Sequence, residues 1–290
     1  MSSEAEISKK SGLVIAQACR QLGHDTAEFE LNKNNIELLT ERISSVDLVF
    51  PVLHGGFGED GQIQKILEES GVRFIGSGSD SSKLCFNKAK TKELLEKNNI
   101  LTPKWRVVTS RGELRDLKMP LIIKPVQGGS SIGMVMATSA EDLQSINFSQ
   151  PLLAEEYVEG MELTVSILGN MALPVAEIIP SKNRWFDYEN KYNGLAEENV
   201  PPKFIDEKIQ EQARELALKV HQLCGCHHLS RIDMMVKDHH IYVLEINTMP
   251  GMTIGSLYPK SAKADGLSIV QLVDRLIKFN NSPGSPPSQG

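Results

Sequence analysis

The chain has 290 residues, of which 40% are hydrophobic and 23% are charged, an ordinary composition for a globular protein of about two domains. Its net charge of −6 excludes the basic footprint of a nucleic-acid-binding protein. No apolar run approaches the roughly 20 residues of a membrane span, so we expect no membrane segment. No charged-then-apolar leader resembles a signal peptide, so we expect a cytoplasmic protein.

The first predicted helix begins near Ser3, which can cap it, with Glu6 in the position of a capping-box glutamate, and Gly23 can end it. Four apolar residues fall near one face of this helix: Ile7, Val14, Ala18 and Leu22.

Two short apolar runs, 46–53 and 72–76, are predicted to be strands on either side of a helix over 60–70. This alternation favours a parallel, doubly wound sheet. The Gly/Ser-rich stretch 77–82 is predicted to be a joint between domains, and a helix over about 83–98 follows it.

A β-rich region is predicted to begin at Pro103. Its predicted strands are 121–124, 152–169 (around a loop) and 173–179. Residues 180–203 have no periodicity, which in a compact domain favours a functional loop. The remaining predictions are a helix over 206–225, a hairpin over 231–247, a helix over about 267–279 and a disordered tail over 282–290.

The four cysteines are expected to be free thiols, because disulfide frameworks belong to short secreted chains. The run Cys224-Gly225-Cys226-His227-His228 has two interpretations, a zinc site or a helix end followed by a turn into a strand. No second ligand cluster has a metal-site spacing, so the structural interpretation is favoured.

The loop 127–133, QGGSSIG, lies between two predicted strands. Its glycines and hydroxyls can bring backbone N–H groups close to phosphate oxygens, and Lys124 adds a cation. The alternative is a flexible hairpin loop. The loop is neither a P-loop nor a G-x-G-x-x-G motif.

The hairpin 231–247 gathers polar side chains on one face. Arg231 and Asp233 are two residues apart on one strand, as are Glu245 and Asn247 on the other. Carboxylate and amide oxygens suit Mg²⁺ that carries nucleotide phosphates. The alternative is an arginine–carboxylate pair across the two strands. Two acids and an asparagine favour the metal interpretation.

Three further groups carry weaker signals. A carboxylate among Glu155, Glu156 and Glu162 can accept from ribose hydroxyls, although acidic strand ends are usually just solvated. His54 can bind a ligand or cap the next helix. The long loop supplies Lys191 and Tyr192, a cation and a phenol without an apolar stripe to bury them.

Taken in order along the chain, these motifs resemble the D-alanine–D-alanine ligases of the ATP-grasp family. The matching stretches are SSEAEIS, HGGFGEDGQIQ, IIKPVQGGSSIGM, EEYVEGMELTVSILG, DYENKY, RIDMMV and EINTMPGMTIGSLYP.

The resemblance implies an α/β (α+β) ATP-grasp fold. An incomplete, doubly wound parallel-sheet domain (1–77) would bind substrate. Two α+β subdomains, a central one (78–158) and a C-terminal one (159–281), would clasp ATP, and 282–290 would be a disordered tail.

The resemblance also implies roles for individual residues. The ATP-binding residues would be Lys88, Lys124, Gly129, Ser131, Glu155, Glu156, Val158, Glu162 and Lys191. The ligands of two Mg²⁺ ions, with Mn²⁺ as an alternative, would be Asp233, Glu245 and Asn247. The substrate-positioning trio would be Glu4, Ser130 and Tyr192, the oxyanion site Arg231 and Gly251, and the substrate contacts His54, Ser256 and Leu257.

The activity implied is ligation of two D-alanines through an acyl phosphate, for peptidoglycan precursors, by a homodimer. In the related depsipeptide ligases, which accept D-lactate, the position that matches Tyr192 carries a phenylalanine. The resemblance therefore implies that a chain with tyrosine here uses D-alanine as the second substrate. Two alternatives are a ligase for another amino-acid pair and a truncated, weakly active nucleotide-binding relative.

The second alternative arises because Met1 matches the residue just after the family's first strand and Gly-Gly turn. We therefore expect Met1 to be an internal methionine of a longer natural protein. For the short form we expect reduced stability and weaker binding of the first D-alanine, because Glu4 would lie on a fraying chain end.

Overall fold

The computed structural model describes residues 5–32, 35–129, 132–180 and 196–279. Within them, the α-helices are α1 (Ala5–Gln21), α2 (Leu39–Ile43), α3 (Gln62–Ser70), α4 (Ser79–Phe86), α5 (Lys88–Lys97), α6 (Glu207–Leu223), α7 (Leu257–Ala264) and α8 (Ile269–Phe279). The strands are β1 (Leu48–Val49), β2 (Arg73–Phe74), β3 (Trp105–Val108), β4 (Leu121–Pro125), β5 (Val135–Ala137), β6 (Leu152–Glu156), β7 (Met161–Leu168), β8 (Met171–Ala172), β9 (Ala176–Ile179), β10 (Glu197–Asn199), β11 (Leu229–Lys237) and β12 (His240–Asn247).

Several predictions lie outside the described residues: the Ser3 cap, most of the long loop, the tail and the site residues Glu4, Ser130, Ser131, Lys191 and Tyr192. The structure does not test the proposed domain boundaries, which stay a prediction. No described helix combines the length and the apolar character needed to cross a membrane.

The two N-terminal strands are parallel, as the alternation of strands and helices predicts. β1 pairs with β2 through Leu48 opposite Arg73 and Val49 opposite Phe74. β1 is much shorter than the predicted run 46–53, because Pro51 has no N–H to continue a ladder. The helix between the strands, α3, ends at Gly71, whose φ of 71° is the left-handed conformation that favours glycine at a helix end.

The single helix predicted over 83–98 is instead two helices, α4 and α5. The chain is extended at Asn87 (φ −94°, ψ 95°), and the Asn87 side chain accepts a hydrogen bond from Lys90 N at the start of α5. Asparagine is a strong N-cap residue, so it both interrupts one helix and begins the next. α4 begins inside the predicted joint, where the Glu68 carboxylate accepts from Ser79 N at 2.7 Å.

A four-stranded antiparallel sheet with the order β3-β6-β4-β5 follows among the described residues. Its buried face carries Val108, Leu121, Ile123 and Leu152. The larger sheet has the order β10-β9-β7-β11-β12, with β8 paired to β7. The face of this sheet that carries Ile232 and Met234 packs against α6 and against Cys85 and Leu95 of α4 and α5.

The predicted hairpin is β11–β12, and its turn at Asp238 and His239 has positive φ at both residues. β11 also pairs with β7 on its other edge. Arg231 lies opposite Asn247, and Asp233 lies opposite Glu245, before a bulge between Asp233 and Met234. The predicted gathering of these four residues on one face of the hairpin is therefore confirmed.

Helix α1 packs against the C-terminal helices. Its buried residues include Ser11, Ile15 and Ala18, and the last two share a cluster with Tyr258 of α7 and Leu272 of α8. The buried stripe thus differs from the predicted face, of which only Ala18 is buried while Ile7, Val14 and Leu22 are half-buried. The buried stripe is therefore rotated from the predicted face, and it includes a serine, Ser11, that a stripe assigned from apolar residues omits.

The four cysteines are free thiols, as predicted. α6 ends at Leu223, and Gly225 (φ 65°) turns the chain towards β11, as the structural interpretation of this run predicts. The Sγ atoms of Cys85 and Cys226 lie 3.9 Å apart, both buried.

The buried His221 leads to a prediction about the stability of the fold at acidic pH. It is buried, its Nδ1 lies 2.7 Å from Ser230 Oγ, and burial lowers its pKa to about 4. Because the unfolded state takes up the proton first, its contribution is present above pH 6.5 and is lost as the pH falls towards 4, by up to about 3 kcal/mol. We expect His221→Asn to lose less unfolding free energy than the wild type between pH 7 and pH 5, measured by urea denaturation.

His240, an exposed histidine at the start of β12, supplies the control for this measurement, because His240→Asn changes the same residue type without burial. An equal pH 7-to-5 loss in the wild type and in His221→Asn would contradict the prediction.

Candidate active site

Two adjoining cavities lie beside the hairpin and share Lys88, Gly128, Gly129 and Glu245 in their walls. The first cavity encloses about 870 Å³, including its opening, and lies between the four-stranded sheet and the hairpin. The second cavity lies between α1, the His54 turn and the loop after β12.

Each described residue of the sequence-predicted site lines at least one of these cavities. The first is lined by Lys88, Lys124, Gly129, Glu155, Glu156, Val158, Glu162, Asp233 and Glu245. The second is lined by His54, Lys88, Gly129, Arg231, Glu245, Asn247, Gly251, Ser256 and Leu257. The tertiary structure therefore brings them to one place, while Glu4, Ser130, Ser131, Lys191 and Tyr192 lie outside the described residues.

The Gly-rich loop is connected to the start of α5. Lys88 N donates to Val126 O at 3.0 Å, and Lys88 Nζ donates to Gly128 O at 2.5 Å. The same Nζ lies 3.8 Å from Glu245 Oε2. Burial lowers the pKa of Lys88, and Glu245 opposes that effect. A helix N-terminus, a glycine loop and a buried ammonium group thus meet at the wall common to both cavities.

Glu155 is the centre of a buried ion cluster. Its Oε2 lies 2.9 Å from Lys124 Nζ, and its Oε1 lies 3.0 Å from Lys92 Nζ. Lys92 also donates to Thr102 Oγ1 at 2.5 Å, and Thr102 donates to Val243 O at 2.8 Å. The Glu155 side chain, which the sequence associates with nucleotide binding, therefore holds the two lysines in position as well as lining the cavity.

The charges in this cluster stabilise one another. Burial by itself raises the pKa of Glu155, but Lys124 and Lys92 bring that pKa below its ordinary value. Burial lowers the pKa of Lys124, but Glu155 and Glu245 raise it above its ordinary value overall. The carboxylate is thus ionised, and Lys124 stays a cation at the cavity wall.

Arg231 forms a two-point ion pair with Asp233 on the same strand. Arg231 Nε and Nη2 donate to the two carboxylate oxygens, each at 2.8 Å. The Thr164 hydroxyl, on β7, lies 2.6 Å from Asp233 Oδ1. The arginine–carboxylate pair, which the sequence offers as the alternative to a metal site, is therefore present, within one strand rather than across the hairpin.

Asp233, Glu245 and Asn247 provide two carboxylates and an amide oxygen. Among the described residues, no group of three or more histidine, cysteine, aspartate or glutamate side chains is arranged to hold a metal ion. The set nevertheless fits Mg²⁺ chemically, because Mg²⁺ uses one or two carboxylates and takes its other ligands from phosphates and water.

The loop after β12 lines the second cavity. Asn247 Oδ1 accepts from Met249 N at 2.9 Å, and the Thr253 and Ser256 hydroxyls lie 2.8 Å apart. A Cβ on Gly251 would lie 2.8 Å from Ser256 Oγ, so only glycine leaves this close approach undisturbed. Ser256 and Leu257 begin α7 at the cavity wall.

Known proteins are similar to this chain in sequence and in fold. Family models described as D-ala D-ala ligase N-terminus and D-ala D-ala ligase C-terminus match residues 26–77 and 93–278. The chain belongs to the D-alanine–D-alanine ligase family. One relative, the D-alanine–D-alanine ligase of Carboxydothermus hydrogenoformans, is 37% identical over 298 residues, which cover 96% of this chain and 94% of the relative.

Solved structures of this ligase family have the same fold. The D-alanine–D-alanine ligase of Bacillus anthracis is 32% identical with a TM-score of 0.86, and covers 97% of this chain and 94% of its own. Its complex with ATP gives a TM-score of 0.83 at 31% identity, with the same coverage. The VanG D-Ala:D-Ser ligase of Enterococcus faecalis gives 0.72 at 34% identity, covering 81% and 73%. The predicted ATP-grasp fold class is confirmed.

Sequence reasoning missed Lys92 and Thr164. Lys92 lies four residues after Lys88 on α5 and so shares its helix face, but this spacing does not by itself assign Lys92 to the site. Thr164 lies within an apolar strand, and its register opposite Asp233 appears only when β7 pairs with β11.

The ion cluster predicts a large effect at Lys92. Lys92→Met removes one of the two cations that hold Glu155, and breaking a buried pair costs about 3–5 kcal/mol. We expect a loss of this size in urea denaturation, together with about tenfold weaker ATP binding by calorimetry, because Glu155 is then less firmly fixed and no longer holds Lys124 in place at the cavity wall.

Lys90→Met on the exposed face of α5 is the matched control and should change stability by less than about 0.5 kcal/mol. Equal stability and equal ATP affinity in the two variants would show that the cluster does not hold the site.

Proposed function

We propose that this chain is an ATP-dependent ligase that joins two D-alanines into D-alanyl-D-alanine for peptidoglycan precursors. The observation that carries the proposal is the wall shared by the two cavities. Both cavities are bordered by Lys88, the Gly128–Gly129 backbone and Glu245. A nucleotide phosphate in the first cavity can therefore lie next to an amino-acid carboxylate in the second.

The first cavity is the proposed ATP site. Lys88 and Lys124 would bind phosphates, together with Gly129 and with Ser131 and Lys191 outside the described residues. The segment 155–158 would hold adenine and Glu162 the ribose. The lining of the first cavity supports this assignment, because Ile122, Met235 and Leu244 give it apolar walls suited to the flat base of a nucleotide.

Asp233, Glu245 and Asn247 are the proposed holders of two Mg²⁺ ions, or of Mn²⁺. The ions, when bound, would spread the negative charge of the transferring phosphoryl group. The chain's own part is to keep the ligand side chains in place: Thr164 and Arg231 hold Asp233, and Met249 N holds the Asn247 oxygen.

The second cavity is the proposed amino-acid site. A carboxylate is a poor acyl donor, so the carboxylate of the first D-alanine, near His54, would take the γ-phosphoryl group of ATP and release ADP. The amine of the second D-alanine would then attack the carbonyl carbon of this acyl phosphate, forming the peptide bond as phosphate leaves and the amine loses a proton. Arg231 and Gly251 N–H would stabilise the tetrahedral oxyanion, and Ser256 and Leu257 would contact the second D-alanine. Glu4, Ser130 and Tyr192 complete the proposed site.

The setting of the enzyme is part of the same proposal. We expect a cytoplasmic homodimer that acts on D-alanine, without nucleic-acid or membrane partners. The net charge of −6 supports the absence of a nucleic-acid partner, and the family resemblance supports the remainder.

A coupled assay of ADP release tests the proposal. We expect release with D-alanine, and only background release with L-alanine or without an amino acid. D-Lactate and D-serine offered as second substrates at pH 7 should be ligated far less than D-alanine. Folded, ATP-binding protein that releases no ADP with D-alanine would favour the non-catalytic alternative, and release with another amino acid would favour a different ligase.

The oxyanion site predicts the effect of Arg231→Lys. A lysine cannot provide two parallel donors to Asp233 and also face the cavity, so we expect kcat to fall about 100-fold. Arg275→Lys, on the exposed side of α8, should leave kcat unchanged. A steady-state assay in which the two variants match would contradict an oxyanion role for Arg231.

A further inference from the structure

Ser11 is a buried polar residue on the packed side of α1. It is 0% exposed, and Ile15 and Ala18 continue the same buried stripe into the core beside Met252 and Tyr258. A buried hydroxyl without partners costs free energy that alanine would not cost. The hydroxyl therefore needs partners, and it has two.

The partners of Ser11 form a directed chain of hydrogen bonds. Met252 N donates to Ser11 Oγ at 3.2 Å, and Ser11 Oγ lies 3.3 Å from His54 Nε2. His54 Nδ1 lies 3.0 Å from Met249 O. A carbonyl only accepts, so Nδ1 carries the imidazole proton and Nε2 accepts the proton of the Ser11 hydroxyl.

This relay holds both ends of one short loop. Met249 O and Met252 N flank Pro250 and Gly251, and Gly251, at the wall of the second cavity, is the proposed N–H donor of the oxyanion site. α1 also supplies Ser8, one turn before Ser11. The Ser8 Oγ accepts a hydrogen bond from His54 N at 2.9 Å. One helix face thus fixes the histidine, and the histidine together with Ser11 fixes the loop.

We propose that Ser11 is a positioning residue that fixes the Met249–Met252 loop through His54 and so sets the position of the Gly251 N–H. The inference rests on the proposed function for its kinetic consequence, but not for the hydrogen-bond relay itself. Ser11 touches neither substrate nor ATP in this scheme, and it acts through the loop. Burial keeps the imidazole neutral, with its pKa lowered to about 4, as the relay requires near pH 7.

The kinetic test uses Ser11→Ala in the full chain. We expect kcat for D-alanine-dependent ADP release to fall about tenfold, because a displaced oxyanion donor loses part of the 10²–10³ that such a donor contributes. KM for ATP should stay within twofold. Ser11→Thr, which keeps the hydroxyl, should recover most of kcat.

Ser261→Ala is the matched control, because Ser261 is equally buried and its hydroxyl has no hydrogen-bond partner among the described residues. An unchanged kcat in Ser11→Ala, or an equal fall in Ser261→Ala, would overturn the proposal.

A spectroscopic test separates this inference from the proposed function. In ¹⁵N NMR at pH 7, His54 should be a neutral Nδ1–H tautomer, and Ser11→Ala should shift its Nε2 resonance while Ser261→Ala should not. An Nε2–H tautomer would overturn the relay. If the relay signals appear but D-alanine gives no ADP release, the proposed function fails while the structural inference stands.

Discussion

The pairing register of β11 between β7 and β12 is the constraint on which the site depends. It places Asp233 opposite Thr164 on one side and Glu245 on the other, and Arg231 opposite Asn247. A slip of one residue would turn these side chains to the other face of the sheet and bring Ile232 and Met234 into the cavities. The apolar core between this sheet and α6 resists such a slip, since the same residues fill it.

Charge compensation is the second organising feature. Lys92, Lys124 and Glu155 are all buried, and ions removed from water are tolerated only when they are paired. The ion cluster connects α5 to the four-stranded sheet. The hydrogen bonds of Thr102 connect Lys92 of this cluster to Val243 of β12. The Lys124 ammonium group at the cavity wall is therefore held in place before any ligand arrives, which is the arrangement that favours electrostatic stabilisation of a transition state.

The second cavity depends on segments that are distant in the chain. Ser11, His54 and Met252 come from the first helix, an early turn and the loop after the last strand, and they meet only because α1 packs against α7 and α8. The proposed relay consequently links the packing of α1 to the position of Gly251, so a substitution on α1 is expected to affect the proposed oxyanion site without contacting it.

The sequence by itself determined the longer helices, the hairpin, the shared face of Arg231 and Asp233, and the family, because periodicity and motif spacing are local properties. It did not determine the short elements α2, β3, β5, β10 and α7, which carry too few residues for a periodic signal. It did not determine the break at Asn87, since an asparagine in a helical run can equally lie within the helix. It also missed the partners of Glu155 and the roles of Lys92 and Ser11. Only the tertiary structure decided these, because a buried charge or hydroxyl takes its role from partners that folding brings together from remote parts of the chain.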